Sequence, residues 1–151
     1  FVGNGSLYEW AKTYVEKKCL KNVFFVNQLD FSLIPYIYQL SDVLLLSLSK
    51  NDIFAKTIPS KLQSYLVSGK PLIASLDGEA CKIIKNAKCG LTGEAENSTA
   101  LKKNILKLKN TSLDKRNLMG KNGRNYFKKY FELNNQVKKL EDMLIKVIGI
   151  K

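Results

Sequence analysis

One segment of the sequence combines residue types and spacing suited to binding a phosphate or a diphosphate. A polar loop ends Lys56-Thr57-Ile58-Pro59-Ser60-Lys61 and runs directly into a predicted helix over 60–68. The first N–H groups of a helix lack partners within the helix, and the helix dipole favours an anion there. Ser60 adds a hydroxyl and Lys61 adds a positive charge. The same residues also fit an ordinary capped helix with an exposed lysine, so both interpretations stay open.

Two further loops follow predicted strands and are candidates to contact a ligand. Gly3, Asn4 and Gly5 form a tight turn after the first strand, where glycine lets the backbone approach a ligand closely. Asp77 and Glu79 follow the fourth strand. Asp77 can cap the next helix, and Glu79 can accept hydrogen bonds from sugar hydroxyls. In both loops a purely structural turn or cap accounts for the residues equally well.

The composition excludes several other kinds of site. The chain has no histidine, which excludes imidazole general bases, Ser–His triads and most zinc sites. Its three cysteines are too irregularly spaced for a disulfide framework or a metal site, so we expect reduced, structural thiols. The carboxylates in the predicted loops form no clear acid–base pair, so we expect no hydrolysis by this chain alone.

The net charge of +12 is carried almost entirely by lysine, since Arg116 and Arg124 are the only arginines. Nucleic-acid binders favour arginine for bidentate contacts to bases and phosphates, so we expect no nucleic-acid partner. The lysines are densest beyond Leu101, which fits solvated helix faces. It also fits attraction to an anionic membrane surface, and peripheral membrane association stays open. The longest apolar run, Val43 to Leu46, is too short to cross a membrane.

The predicted elements alternate between short strands and helices. Strands are predicted at 1–2, 23–26, 43–48 and 71–74, and Cys89-Gly90-Leu91-Thr92 is predicted to lead into a further short strand. Helices are predicted after Ser6 and over 32–40, 60–68, 79–86 and 98–109, with a loop over 51–59. Three more helices follow, over 113–118, 121–131 and 135–148, with Asn122-Gly123 as an interruption. This order predicts an α/β, Rossmann-like parallel sheet flanked by helices, with an all-helical C-terminal tail. Ligands of such sheets bind at the carboxyl ends of the strands.

The first residues predict that the chain is a fragment. It begins without an initiator methionine, and Phe1-Val2 has the character of the end of a buried strand. We therefore expect further protein before this strand.

The run from Thr57 to Ser75 carries a family likeness. It joins Pro59-Ser60-Lys61 to Gly69-Lys70-Pro71 and a following apolar strand, and it resembles glycosyltransferase family four. Pieces similar to the family's pattern occur in the same order along nearly the whole chain: Val2 to Gly5, Ser41 to Val43, Cys89 to Leu91 and Leu118 to Arg124. Pro59-Ser60-Lys61 and Asp77-Gly78-Glu79-Ala80 resemble a branch that builds bacterial surface polysaccharides, including amino-deoxysugar transferases.

The resemblance implies the C-terminal half of a two-domain GT-B fold. Residues 1–110 would form the nucleotide-sugar (donor) domain, incomplete at its N-terminus, and 111–151 would be helices packing on it and toward a missing N-terminal domain. The activity implied is retaining hexosyl transfer from a nucleotide-diphosphate sugar, most commonly a UDP-sugar, to a saccharide or lipid-linked saccharide acceptor. Capsule, O-antigen, lipopolysaccharide or exopolysaccharide assembly in the cytoplasm, near the inner face of the membrane, is the expected setting. No metal or other cofactor is implied, and the fragment would be inactive alone.

The resemblance also implies the donor-binding residues and leaves the catalytic ones unknown. The set is Gly3, Asn4, Gly5, Thr57, Ile58, Pro59, Ser60, Lys61, Ser64 and Glu79. The family usually has two glutamates separated by seven residues, which would fall at Lys56 and Ser64. At Ser64 a serine would bond the donor ribose as a neutral and shorter partner. These departures keep open a nucleotide-sugar 2-epimerase and a degenerate, non-catalytic nucleotide-binding module.

Overall fold

The computed structural model describes residues 1–149, which divide into two compact units. The first unit, residues 1–37, contains α1 (Tyr8–Lys17), a 3₁₀ turn (Phe31–Leu33) and the start of α2 (Ile34–Leu40). The strands predicted at 1–2 and 23–26 are wrong in extent, because they reduce to one parallel bridge between Val2 and Val26. A pair of segments joined by a single bridge is a marginal sheet.

The second unit contains a three-stranded parallel sheet. Its strands β1 (Leu44–Ser47), β2 (Leu72–Ser75) and β3 (Gly90–Gly93) lie side by side in that order. Ser47 is paired with Ser75, and Ser75 with Gly93, so the carboxyl ends of all three strands meet at one edge. The predicted α/β parallel architecture is confirmed, and this edge is where a ligand of such a sheet would bind.

Helices surround this sheet and build the core. They are α3 (Asp52–Lys56), α4 (Ser60–Ser68), α5 (Glu79–Ala87), α6 (Ser98–Lys109), α7 (Leu113–Tyr130) and α8 (Leu133–Ile148). Leu62 and Leu66 of α4 meet Leu72 of β2 and Ile84 of α5 in a cluster of fully buried side chains. Each such side chain contributes roughly 1.5–3 kcal/mol by its removal from water.

The helix α7 is continuous, whereas the sequence predicted two helices over 113–118 and 121–131, with Asn122-Gly123 as an interruption. Gly120 and Gly123 are both buried, because α7 crosses close to α4 there. A Cβ on Gly120 would lie 1.8 Å from the carbonyl oxygen of Gly69, so only glycine permits this approach. The two glycines therefore lie where α7 crosses α4. The helix continues through Asn122-Gly123 because packing against α4 stabilises it there.

Several local predictions differ from the structure in their capping residues or in their extent. The predicted loop over 51–59 contains α3, because the Asn51 side chain accepts hydrogen bonds from the N–H groups of Ile53 and Phe54. The helix α6 is capped by Asn97, whose side chain accepts a hydrogen bond from the N–H of Ala100. In both helices an asparagine immediately before the first helical residue satisfies free N–H groups.

The last helix, α8, exposes an apolar face. None of its side chains is buried, and Leu140 and Val147 are 57% and 84% exposed. Among the described residues, none of the helices has the length and apolar content needed to span a membrane.

Candidate functional site

The start of α4 presents free hydrogen-bond donors at the carboxyl edge of the sheet. Pro59 occupies the capping position and has no side chain to satisfy the first N–H groups. Within residues 1–149, the N–H groups of Ser60 and Lys61 donate to no other group, and their exposed side chains form no hydrogen bond or ion pair. This end of the helix carries a partial positive charge, to which Lys61 adds a full one. The arrangement suits an anion.

The body of α4 is held firmly by the core. Leu62, Tyr65 and Leu66 are buried on its inner side. The Tyr65 hydroxyl donates to the carbonyl oxygen of Leu45 over 3.4 Å, and burial raises the pKa of Tyr65 to about 12. Ser64 lies one turn after Ser60 and is half-buried, so these two serines share a side of the helix. The exposed start of α4 is thus attached to a fixed helix.

The far end of α4 is closed by its own cap and by α7. Gly69 adopts the left-handed conformation, with φ of 74°, and ends the helix. The Arg124 guanidinium donates to the carbonyl oxygens of Val67 and Ser68 over 3.1 and 3.0 Å. The carbonyl end of α4 is therefore satisfied, whereas its N–H end is free.

The loop before α5 packs against α3, which directly precedes Thr57 and Ile58. Gly78 has a φ of 82°, and a Cβ there would lie 1.8 Å from the carbonyl oxygen of Ala55. A side chain at position 78 is excluded on both grounds. This contact brings the segment leading into α4 next to the start of α5. Sequence reasoning missed α3 and this contact, although the Asp77-Gly78 pair signalled a tight turn.

The acidic residues of this loop have protein partners. Glu79 forms an ion pair with Lys82 over 2.6 Å, on the exposed first turn of α5. Asp77 accepts a hydrogen bond from the N–H of Ala95 over 3.3 Å and does not cap α5, whose capping position is Gly78. The predicted cap at Asp77 is therefore wrong, and its carboxylate instead joins the β2–α5 loop to the β3–α6 loop.

The loop after β3 is tied to its neighbours by further hydrogen bonds. The Ser75 hydroxyl donates to the carbonyl oxygen of Glu94 over 3.1 Å, and the Glu96 carboxylate accepts from the N–H of Lys50 over 3.0 Å. An open cleft of about 550 Å³ lies beside these loops. It is lined by residues of β3, α5 and α6 and of the loops that precede the two helices, including Asp77, Thr92 and Asn97. The start of α4 is not part of its lining.

The predicted turn of Gly3, Asn4 and Gly5 lies in the first unit. The N–H of Gly3 donates to the carbonyl oxygen of Val26, and the carbonyl oxygen of Gly5 accepts from Tyr8 at the start of α1. Gly3 has a φ of 128°, which a side chain would oppose, while Asn4 and Gly5 are exposed. The structure thus brings together the 57–61 segment and the start of α5 in the second unit.

Comparison with known protein families identifies the chain. The family described as glycosyl transferases group 1 matches residues 1–126. The chain belongs to this family. No curated protein matches it. The solved structures similar to it include sucrose-phosphate synthase from Thermosynechococcus elongatus and a glycosyltransferase from Rickettsia africae ESF-5.

The solved structures support the fold of this group 1 glycosyltransferase chain. The synthase has a TM-score of 0.77 and 18% identity, and the match covers 97% of this chain and 36% of the other. The Rickettsia protein has a TM-score of 0.70 and 20% identity, with 99% and 40% covered. This chain therefore spans about two fifths or less of the length of the proteins that it matches.

Proposed function

We propose that the start of α4 binds the diphosphate of a nucleotide-sugar donor. The observation that carries the proposal is the uncapped helix start at Pro59, where the N–H groups of Ser60 and Lys61 are free. A diphosphate would accept hydrogen bonds from these groups and from the Ser60 hydroxyl, and its charge would face Lys61. Membership of a glycosyltransferase family supports a nucleotide sugar as the source of that diphosphate.

We infer that the whole protein is a retaining hexosyltransferase of glycosyltransferase family four, in the branch that includes amino-deoxysugar transferases. In this proposal an N-terminal domain binds a saccharide or lipid-linked acceptor, and UDP is the leaving group. Capsule, lipopolysaccharide or exopolysaccharide assembly in a bacterial cytoplasm, near the inner face of the membrane, would be its setting. The division at residue 110 and the inactivity of residues 1–151 alone are parts of the same proposal.

The proposed chemistry places negative charge on the diphosphate. The bond between the anomeric carbon and the diphosphate oxygen breaks, and the bonding electrons leave with the diphosphate. The acceptor oxygen bonds to that carbon, and the proton of the acceptor hydroxyl is released to solvent. Charge that develops on the leaving diphosphate would be stabilised by Lys61 and by the α4 N–H groups, which are already oriented before the reaction. The chain's own contribution is leaving-group stabilisation, with no metal or other cofactor assigned.

The other residues proposed to contact the donor differ in whether their side chains already have a protein partner. Ser64 is half-buried and makes no hydrogen bond within the described chain, so its hydroxyl can bond a ribose. Glu79 must first leave Lys82 to bond a sugar hydroxyl, which is a small change because both side chains are exposed. Gly3, Asn4 and Gly5 keep their proposed role as a turn that lets a donor approach the backbone.

Calorimetric titration of the chain with UDP, GDP and ADP tests the donor site. We expect saturable binding of one nucleotide, weakened by Lys61→Ala about ten-fold, the size of one lost charge-assisted hydrogen bond. The matched control is Lys102→Ala, which removes the same charge from an exposed position on α6. If both variants weaken nucleotide binding equally, the effect comes from the net charge of the chain, and the assignment of Lys61 to the site is wrong. No binding, in this chain and in a longer one, would favour the degenerate module.

A further inference from the structure

A second concave surface lies away from the carboxyl edge of the sheet. It is a groove of about 530 Å³ between the end of α5 and the C-terminal half of α7. Its lining consists of Asn86, Ala87, Asn122, Asn125, Tyr126, Lys129 and Tyr130. Asn86 follows Glu79 by seven residues, so it lies about 10 Å further along the helix axis. The α5–α7 groove is therefore separate from the start of α5, where Glu79 lies.

The α5–α7 groove is rich in hydrogen-bonding groups that the protein does not use. Within residues 1–149, the side-chain amides of Asn86 and Asn125 make no hydrogen bond, and neither do the hydroxyls of Tyr126 and Tyr130. Asn122 donates one bond, to the carbonyl oxygen of Lys88 over 3.3 Å, and keeps its amide oxygen free. Six of the seven lining residues thus carry amide, phenol or ammonium groups, and none carries a carboxylate.

Two aromatic rings form one side of the groove. The ring centroids of Tyr126 and Tyr130 lie 4.4 Å apart, and the Lys129 ammonium lies 5.1 Å from the Tyr130 centroid. Burial raises the pKa of Tyr126, whereas Tyr130 is 41% exposed. Aromatic rings combine a large apolar face with a polar hydroxyl, a combination that accepts ligands which are themselves apolar on one face and polar at the rim. Pyranose rings have this character, with C–H groups on the faces and hydroxyls around the edge.

We propose that the α5–α7 groove binds an uncharged saccharide. An asparagine amide presents a donor next to an acceptor, as neighbouring sugar hydroxyls do, and three such amides line the groove. Lys129 is the one lysine of the lining, and the Lys139 ammonium lies 5.9 Å from the Tyr130 centroid. A diphosphate or a nucleic-acid backbone is bound by several cationic groups with direct contacts, which the amide-rich lining does not supply. The volume lies within the range of small-molecule sites. The inference does not depend on the donor site at α4.

Nuclear magnetic resonance titration of the chain with maltotriose, cellotriose and triacetylchitotriose, all uncharged, tests this proposal. We expect at least one to cause saturable shifts of the amide signals of Asn86, Asn125 and Tyr126, with unchanged shifts when UDP is also present. Asn125→Ala, at an exposed position without internal bonds, should weaken binding between about two-fold and about ten-fold. The matched control, Asn117→Ala, changes an exposed asparagine of the same helix outside the groove and should leave the affinity unchanged.

Three results would overturn the saccharide assignment. One is the absence of saturable shifts with all three trisaccharides at millimolar concentration. Another is equal weakening by Asn125→Ala and Asn117→Ala. The third is a set of groove shifts caused by inorganic phosphate and by none of the trisaccharides, which would make the groove an anion site. If UDP does not bind, only the proposed donor site is contradicted, because saccharide binding is measured from the amide signals of the groove residues alone.

Discussion

Replacing Gly120 with alanine tests the crossing of α7 over α4. The new Cβ would lie 1.8 Å from the carbonyl oxygen of Gly69 and 2.6 Å from its carbonyl carbon. These atoms are backbone, so the two helices must separate. Overpacking of a core costs about 1–3 kcal/mol, and a backbone clash belongs at the upper end. Alanine recovers about 1 kcal/mol of helix propensity, which leaves a net loss of about 2 kcal/mol.

Gly123→Ala is the matched control for this prediction. Its Cβ would meet side-chain atoms of Cys89 and Leu66 at 3.2 and 3.4 Å, which can move by a few tenths of an ångström. The same gain in helix propensity then offsets the strain, and we expect stability within about 1 kcal/mol of the parent. Thermal unfolding followed by circular dichroism should show a fall of roughly 4–8 °C for Gly120→Ala. Equal midpoints for both variants would refute the close crossing.

Three other perturbations follow from the structure. Gly78→Ala should lower the free energy of unfolding by about 2 kcal/mol or more, in urea titrations, because its Cβ would lie 1.8 Å from the Ala55 oxygen at a φ of 82°. Asn51→Ala should lower the free energy of opening of α3 by about 1 kcal/mol, because the helix loses its cap. The amide of Ala55, which donates to the carbonyl oxygen of Asn51, should then exchange faster, and unchanged exchange would contradict the cap. Burial raises the pKa of Cys89 from 9.0 to about 12, so between these values the unfolded chain binds fewer protons and stability falls as the pH rises. Urea titrations across this range should show a shallower fall for Cys89→Ala, and an equal fall would count against the shift.

The elements with strong local signals at both ends were predictable from the sequence. The predicted bounds of α4 match the structure, because Pro59 fixes the entry and Gly69 supplies the left-handed exit. β1 and β2 were predicted within one residue at each end, because each is an apolar run bounded by turn residues. The third strand was placed too late, because β3 (Gly90–Gly93) is formed by the residues that were predicted to lead into it. Signals of this kind act within a few residues, so no knowledge of the tertiary structure was needed.

The elements that depend on distant contacts were not predictable. Asn122-Gly123 is a break signal along the chain, yet α7 continues through it because Gly123 packs on Cys89 and Leu66. The short helix α3 packs against Gly78, more than twenty residues away. Asp77 turns to Ala95 because the β3–α6 loop lies beside it. The roles of Ser60, Lys61 and Ser64 stay predictions, although the structure leaves their side chains without protein partners within residues 1–149.

The hydrogen-bonding groups at the two ends of α4 differ: the C-terminal carbonyl groups have partners, whereas the first N–H groups have none among the described residues. This difference supports the proposed donor site. At the carbonyl end, Gly69 and Arg124 satisfy the last groups of the helix, and Arg124 belongs to the helix that also carries Gly120. At the N–H end, proline replaces the serine, threonine or asparagine that would stabilise the helix by about 1 kcal/mol. A helix held at one end can leave its other end uncapped without fraying, because the core fixes its axis. A bound diphosphate would then supply the acceptor oxygens that the sequence omits at Pro59.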